Sequence, residues 1–369
     1  MPTVVFDHQT FVAQEFGGIS RYFCELASRV HGLEDFQAKV VAPLHLNAYL
    51  PDCAVPQAAV RLNGKFRGRG RLCQVVNAAL APALTRMSQP SLIHRTYYEP
   101  LPRVGDVPVV LSVFDMIHEL FPENFAADDA VIRSKRRSVN AADHLICISH
   151  STANDLVRLY DVPRSKISVI YLGYSDVFAQ PAPQGETSPH DRPYLLYVGQ
   201  RDGYKNFDTA LRAYAASRPL RKAFDFVVFG GPALSAEEHA LIASLSLRLG
   251  SVVRMGGSDR DLARAYRHAR AFVYPSKYEG FGIPPLEAMS SGCVVASSNA
   301  SSIPEVVGDA AISFDPSDID DMRLALERAC IDDTTRQYLL IAGAHRVREF
   351  SWDRCARETV AAYRKVIRT

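Results

Sequence analysis

At 369 residues, 47% of them hydrophobic, the chain is long enough to bury two cores, and two domains are expected rather than one. The 42 Lys and Arg nearly balance the 40 Asp and Glu, so no overall basic excess points to nucleic acid as a partner. Seven cysteines, an odd number with no CxxC pair among them, argue against a disulfide or zinc framework and fit reduced thiols in the cytoplasm.

Short apolar runs alternate with amphipathic stretches from the N-terminus on. Residues 3–7 (TVVFD), 38–43 (AKVVAP), 91–95 (SLIHR), 107–115 (VPVVLSVFD), 144–149 (HLICIS) and 166–173 (KISVIYLG) read as buried strands. Residues 18–30 and 128–142 read as helices. This alternation predicts a parallel sheet. Residues 176–192 (DVFAQPAPQGETSPHDR) hold three prolines and little apolar content, which marks a linker. The alternation then resumes, with strands expected at 193–199, 225–231, 251–257, 270–276 and 293–298. Helices are expected at 206–217, 235–249, 259–269, 285–291 and 318–330, and 333–369 reads as helical. The fold class is therefore α/β, with two Rossmann-like doubly wound domains at 1–175 and 193–350. A C-terminal helix at 351–369 is expected to pack back on the first domain. In such folds ligands gather at the carboxyl ends of strands and near helix N-termini, which places the chemistry in a cleft between the domains.

The unusual residues fall in the loops after strands. The strongest pattern is Glu279-Gly-Phe-Gly-Ile-Pro-Pro-Leu-Glu287, after the strand that ends at Pro275-Ser276. Its two glycines let the backbone approach a ligand closely. Pro284 and Pro285 suit the first turn of a helix and Gly292 the position past its end. Glu287 is then expected in the first turn and Glu279 on the loop before it. Free N–H groups at a positive helix end suit a diphosphate, with two carboxylates left for sugar hydroxyls. The plainer alternative is a capped helix with a solvated glutamate. The second pattern is Gly199-Gln-Arg201-Asp-Gly-Tyr-Lys205-Asn206, between a strand and a helix. Two cations four apart there can neutralise a diphosphate and stabilise it as it leaves, or can simply be solvated. The third is Phe16-Gly17-Gly18-Ile19-Ser20-Arg21, between the first strand and first helix. It is neither GxGxxG nor a P-loop, and it reads as a close approach to phosphate or sugar or as a tight turn.

Taken together, these residues resemble a known family. Glu279 and Glu287, seven residues between them, match the EX7E motif of retaining GT-B glycosyltransferases. Arg201 and Lys205 look like the basic pair that those enzymes place on the donor diphosphate, and Gly17-Gly18 looks like their N-terminal glycine loop. Residues 301–318 (SSIPEVVGDAAISFDPSD) are similar to the segment that follows the motif in glycosyltransferase family four. Residues 7–23 and 115–122 look most like bacterial mannosyl- or rhamnosyltransferases of surface-polysaccharide assembly. The resemblance implies a retaining transfer of an α-linked sugar from a nucleotide-sugar to a saccharide or polyprenyl-linked saccharide. A GDP-sugar carrying mannose or a deoxyhexose is the leading donor. It implies that Glu287 binds the ribose hydroxyls and that Arg201 and Lys205 hold the diphosphate. Glu279 contacts the transferred sugar, with the backbone of Phe281, Gly282 and Ile283 beside it. No resident cofactor and no divalent metal are implied, and no DxD motif stands at a credible loop. One departure matters: the family's His-Asp pair at the end of strand 107–115 is Phe114-Asp115 here, and the nearest histidine is His118. The acceptor-side role then falls to Asp115 or His118, or the histidine's role is absent. His118 alternatively reads as a helix-start or core histidine. His94, His144 and His150 form no ligand pattern.

In segment 61–86, Arg61, Lys65, Arg67, Arg69 and Arg71 precede an apolar helical stripe of Leu72, Val75, Val76, Ala79, Leu80, Ala83 and Leu84. It reads either as a surface for anionic lipid, near a lipid-linked acceptor, or as a core-facing helix after a solvated basic loop. The N-terminus MPTVVFDHQTF has no signal-peptide pattern, and no apolar run reaches the ~18 residues a membrane span needs. The expected location is the cytoplasm, with membrane contact only at the protein surface. Two other functions fit the same architecture: a nucleotide-sugar 2-epimerase, which needs no acceptor, and a non-catalytic nucleotide-sugar-binding protein. Arg201 and Lys205 together with the two glutamates argue against both.

Overall fold

The computed structural model describes residues 1–125, 129–201 and 203–367. Asp128 at the start of an expected helix, Asp202 in the Arg201–Lys205 loop, and residues 368–369 of the expected C-terminal helix lie outside the described residues.

The chain forms two compact units, one of Met1–Gly173 with the chain from Ser351 on, the other of Tyr174–Phe350. In the first unit the strands are β1 (Thr3–Phe6), β2 (Gln37–His45), β3 (Gln57–Arg61), β4 (Leu92–Arg95), β5 (Val109–Val113), β6 (His144–Cys147) and β7 (Ile167–Val169). They pair in the order β3-β2-β1-β4-β5-β6-β7, every pair parallel. In the second unit β8 (Tyr194–Val198), β9 (Asp225–Phe229), β10 (Val252–Met255), β11 (Ala271–Tyr274), β12 (Val295–Ser298) and β13 (Ala311–Phe314) run in the order β10-β9-β8-β11-β12-β13, again all parallel. Helices cover these sheets, which is why the central strands are unbroken aliphatic and aromatic runs, buried throughout in β1, β5, β6, β9 and β11. In each unit the strand order reverses once beside the first strand, between β1 and β4 and between β8 and β11. Those are the positions where loops diverge and leave a crevice.

Several elements differ from the sequence expectation. Strands β3 and β13 and helices Gln9–Ala13 and His150–Tyr160 are additional. The helix expected at 235–249 stops at Ser244; Ser235 and Glu238 form a reciprocal capping box at its start, and the chain turns at Ser246 with φ +51°. The helical 333–369 is broken: Asp333–Arg346 is followed by a tight turn at Val347–Glu349, and Trp352–Ile367 is a separate helix. That last helix belongs to the first unit, where the buried Tyr363 phenol bonds His94 Nδ1, and His94 Nε2 meets Ser112 Oγ at 2.9 Å. Gly173 has no room for a side chain, because a Cβ would lie 2.3 Å from the Trp352 backbone nitrogen. Residues 176–192 lie in the second unit. Phe178 is buried there, Glu186 pairs with Arg267 and His268, and His190 bonds Asp225. All seven cysteines are buried and unbridged. Among the described residues, no helix is long and apolar enough to cross a membrane.

Candidate active site

In the second unit, the loops after β8 and β11 meet at the strand-order reversal. Two bonds tie them to each other, and a third ties the β8 loop to the segment after β13. Asn206 Nδ2 donates to the carbonyls of Pro275 (3.0 Å) and Pro316 (2.7 Å), and Lys277 N donates to Tyr204 O at 2.8 Å. Asn206 sits at φ +60°, a conformation Asn tolerates better than most residues, and it precedes the helix Phe207–Ala216. Held in this way, Lys205 Nζ reaches both carboxylate oxygens of Glu279, at 2.8 and 3.0 Å. Glu279 is only 8% exposed, so its charge needs such a partner. The buried Tyr274 phenol also hydrogen-bonds Glu279; burial, then that neighbouring carboxylate, push it well above its ordinary range.

The backbone around Glu279 is clamped from the segment after β12. Ser301 Oγ accepts the Glu279 N–H at 2.8 Å, and the buried Ser302 Oγ bonds the carbonyls of Glu279 (2.8 Å) and Phe281 (2.7 Å). Gly282 follows at φ +114°, a conformation that favours glycine, and opens the helix Ile283–Ser290 without a side-chain cap. Pro284 and Pro285 lie in the first turn, as their residue type requires. Glu287 is the fifth residue of this helix, in its second turn rather than its first, because the helix begins two residues earlier than expected. It is half-buried, and its charge adds to burial in raising the buried Tyr266 phenol well above its usual range.

Arg201 stands apart from Lys205. Its buried guanidinium pairs with Glu238 and donates through Nη2 to the carbonyls of Pro232 (3.0 Å) and Ala233 (3.1 Å). Its Nη1 is buried without a hydrogen-bond partner among the described residues, beside Gly231. Gly231, at φ +63°, could not become alanine without meeting that nitrogen at 2.7 Å. The structure therefore joins Lys205 to Glu279 and Arg201 to Glu238, and does not join the two cations to each other. Glu238 was not singled out in the sequence, and Asn206, Ser301 and Ser302 stood only inside the quoted Gly199–Asn206 and 301–318 segments, with no role of their own.

In the first unit, Gly17 and Gly18 open the helix Gly18–Val30. A Cβ on Gly17 would strike the Gln14 side-chain oxygen at 2.2 Å, and that oxygen accepts the Ser20 N–H at 3.2 Å. A Cβ on Gly18 would meet open space. Asp115 and His118 follow β5: Asp115 Oδ1 accepts the Ile117 N–H at 3.1 Å, and His118 Nδ1 bonds Asp129. Helix Arg69–Met87 packs on β2 with a different face from the apolar stripe read in segment 61–86. It buries only Cys73, Asn77, Ala81 and Thr85, one residue per turn, while Leu72, Val75 and Leu80 stay exposed.

Two family models match: "Glycosyltransferase Family 4" over residues 16–178 and "Glycosyl transferases group 1" over 178–346. The O-antigen chain mannosyltransferase B of Escherichia coli is 32% identical over 241 residues, 63% of this chain and 63% of that one. The serotype-specific mannosyltransferase WbdA of Escherichia coli is 27% identical over 286 residues, 72% of this chain and 34% of that protein. The chain thus matches about two thirds or less of the length of these curated relatives. Among solved structures, Anabaena Alr3699/HepE in complex with UDP and glucose shares the fold at a TM-score of 0.76 and 16% identity, covering 99% of this chain and 100% of that one. With two doubly wound parallel sheets and two family models that together run from residue 16 to residue 346, the chain belongs to the family 4, group 1 glycosyltransferases of GT-B fold.

Proposed function

We propose that this chain is a retaining, metal-independent glycosyltransferase of surface-polysaccharide (O-antigen, capsule or exopolysaccharide) synthesis. Its donor is a GDP-sugar carrying α-linked mannose or a deoxyhexose, and its acceptor a saccharide or polyprenyl-linked saccharide. The observation that carries the reading is the Lys205–Glu279 pair at the β8/β11 reversal, just before the uncapped start of helix Ile283–Ser290. A cation and a carboxylate there match a diphosphate and a sugar hydroxyl side by side. Mannosyltransferases among the relatives support mannose, and the UDP and glucose bound to Anabaena HepE support a nucleotide-sugar donor in general.

In this reading Lys205 neutralises the diphosphate as the sugar bond breaks. Arg201 contributes the Nη1 that no described residue bonds, and braces the Gly230-Gly231 turn. Glu279 orients the transferred sugar beside the backbone of Phe281, Gly282 and Ile283, and Glu287 takes the ribose. Gly17-Gly18 let the backbone approach a phosphate or sugar of the donor, and either Asp115 or His118 serves the acceptor side. The acceptor hydroxyl attacks from the face that the diphosphate leaves, and a departing phosphate oxygen takes its proton, so the α configuration is kept. The protein works in the cytoplasm at the inner membrane face, where the exposed Leu72, Val75 and Leu80 of helix Arg69–Met87 and the neighbouring basic loop meet anionic lipid. A thermal-shift screen of GDP, UDP and ADP and their sugars, followed by transfer from GDP-mannose to octyl α-D-mannopyranoside, tests it. The expected result is stabilisation by GDP and an α-linked product; a β-linked product, or a free epimer formed without acceptor, would overturn it.

A further inference from the structure

Asp129 has two duties in the first unit. Its Oδ1 accepts the Val131 N–H at 2.8 Å and caps helix Ala130–Ala141, and its Oδ2 receives a short hydrogen bond with His118 Nδ1. Partial burial works against the Asp129 charge, but the hydrogen bonds from His118 and Val131 hold its carboxyl below the usual carboxylate range. The His118 ring stacks on Phe125, with centroids 3.9 Å apart and planes 20° apart. The imidazole is thus fixed in its plane by a carboxylate and in its tilt by an aromatic ring. No described residue bonds its Nε2, and the side chain keeps 22% of its surface exposed.

The surroundings suit a hydroxyl-rich ligand. The half-buried Tyr97 phenol is raised by burial and then by the charges of Asp115 and Asp129, so it stands near both carboxylates. Asp115 is occupied locally: its Oδ1 caps Ile117, and the buried Lys135 ammonium bonds its backbone carbonyl at 3.1 Å and Glu119 at 2.8 Å. A helix cap alone does not call for Asp129, since Asn or Ser caps equally well. What only the carboxylate adds is a fixed tautomer, with the proton on Nδ1 and a lone pair on Nε2.

We infer that His118 Nε2 accepts the hydrogen bond of a hydroxyl on the acceptor saccharide and that Asp129 is its positioning residue. This rests on the reading of the chain as a saccharide transferase and decides between Asp115 and His118 for the acceptor contact. Long-range ¹H–¹⁵N spectra of the imidazoles in the full chain test it, with His118 assigned by its loss in His118→Gln. The parent should show Nδ1 protonated and Nε2 bare, and Nε2 should move on addition of methyl α-D-mannopyranoside. Asp129→Asn keeps the cap and should reverse or mix the tautomer. Transfer from GDP-mannose to octyl α-D-mannopyranoside should fall about 10-fold or more in acceptor kcat/KM in either single variant, the loss of one oriented hydrogen bond. The double variant should be no worse than His118→Gln alone, because both changes remove one interaction. GDP affinity should stay at the parent value in all three. A parent protonated on Nε2, an Nε2 signal indifferent to the mannoside, or additive losses in the double variant would overturn the inference. If the spectra behave as stated but the parent transfers no sugar, it is the transferase reading that fails and the saccharide contact that stands.

Discussion

Replacing Glu279 separates binding of the nucleotide from chemistry on the sugar. In the structure Lys205 Nζ is shared between the two Glu279 oxygens, so the same ammonium that is proposed to meet the diphosphate already faces a carboxylate. Glu279→Ala removes a negative charge from the neighbourhood of a more negative ligand and releases two of the three lysine donors. At an effective dielectric of about 20, two unit charges about 6 Å apart repel by about 3 kcal/mol. The lysine side chain is 24% exposed and the glutamate 11%, so solvent screens much of this and about 1 kcal/mol should survive, about a five-fold gain in GDP affinity. Turnover should go the other way, falling by about 100-fold or more, as when a group acting on the reacting centre is lost. Lys205→Ala should lose both, since its charge serves the diphosphate before and during bond breaking. Calorimetric titration of GDP into each variant, beside steady-state kinetics with GDP-mannose, reads the contrast. If Glu279→Ala loses GDP as severely as Lys205→Ala, the carboxylate is part of the nucleotide site and the division of labour is wrong.

Three further outcomes are expected. Turnover should survive exhaustive chelation, because Lys205 takes a metal's place at the leaving group; loss in chelator with recovery only in magnesium or manganese would refute this. Leu72→Glu with Val75→Glu should weaken sedimentation with phosphatidylglycerol vesicles and spare transfer to a soluble mannoside, both residues being exposed on helix Arg69–Met87; unchanged vesicle binding would remove the membrane surface from that helix. Burial pushes His94 down to about 3, so the unfolded chain takes up a proton below about pH 6.5 that the folded chain refuses, and the stability from this group is present above that pH and lost as pH falls. Urea midpoints should therefore drop between pH 6.5 and 5 by an amount equivalent to at most about 2 kcal/mol, and His94→Gln should flatten that slope; equal slopes would show that another group carries it.

The sequence revealed the buried central strands, because short apolar runs such as VVLSV and HLIC, set between amphipathic stretches, suit strands buried on both faces. It hid β3, whose QAAVR is half-buried to exposed, and the helix His150–Tyr160, whose first turn STAND looks like a loop although Ser149 Oγ caps the Thr152 N–H at 3.0 Å. At the site, the glycine-proline run and the two glutamates were legible because each residue type has a local reason to be there. The pairing of Lys205 with Glu279 was not, since the two are 74 residues apart and meet only through the order of strands in the sheet. Nor was the Arg201–Glu238 pair: Ser235 and Glu238 announce a helix start, but nothing local says which cation lies against it. Helix Arg69–Met87 shows the limit of periodicity. A stripe of apolar residues was evident, yet the buried line runs through Cys73, Asn77, Ala81 and Thr85, where small side chains and the two Asn77 bonds to Leu44 allow close approach to β2.

The two strand-order reversals carry carboxylates of opposite character. Beside β1 and β4, Asp7 accepts from Thr96 N (3.0 Å), Thr96 Oγ1 (2.6 Å) and Gln9 Nε2 (2.8 Å), and it pairs with Arg95 at 3.3 Å. Its hydrogen-bonding capacity is taken up by the protein, and although burial opposes its charge, Arg95 and His8 and then Thr96 hold its carboxyl below the usual range. Such a group fixes the geometry of the loops and has little left for a ligand. Beside β8 and β11, Glu279 depends on one lysine and one phenol, and that lysine sits on a loop end with part of its surface open. A ligand that competes for Lys205 therefore exchanges one charged contact for another, whereas a ligand competing for Arg95 would leave Asp7 buried without its counter-charge. The same topology thus produces a brace in one unit and an exchangeable pair in the other, and the count of internal hydrogen bonds on each carboxylate tells them apart.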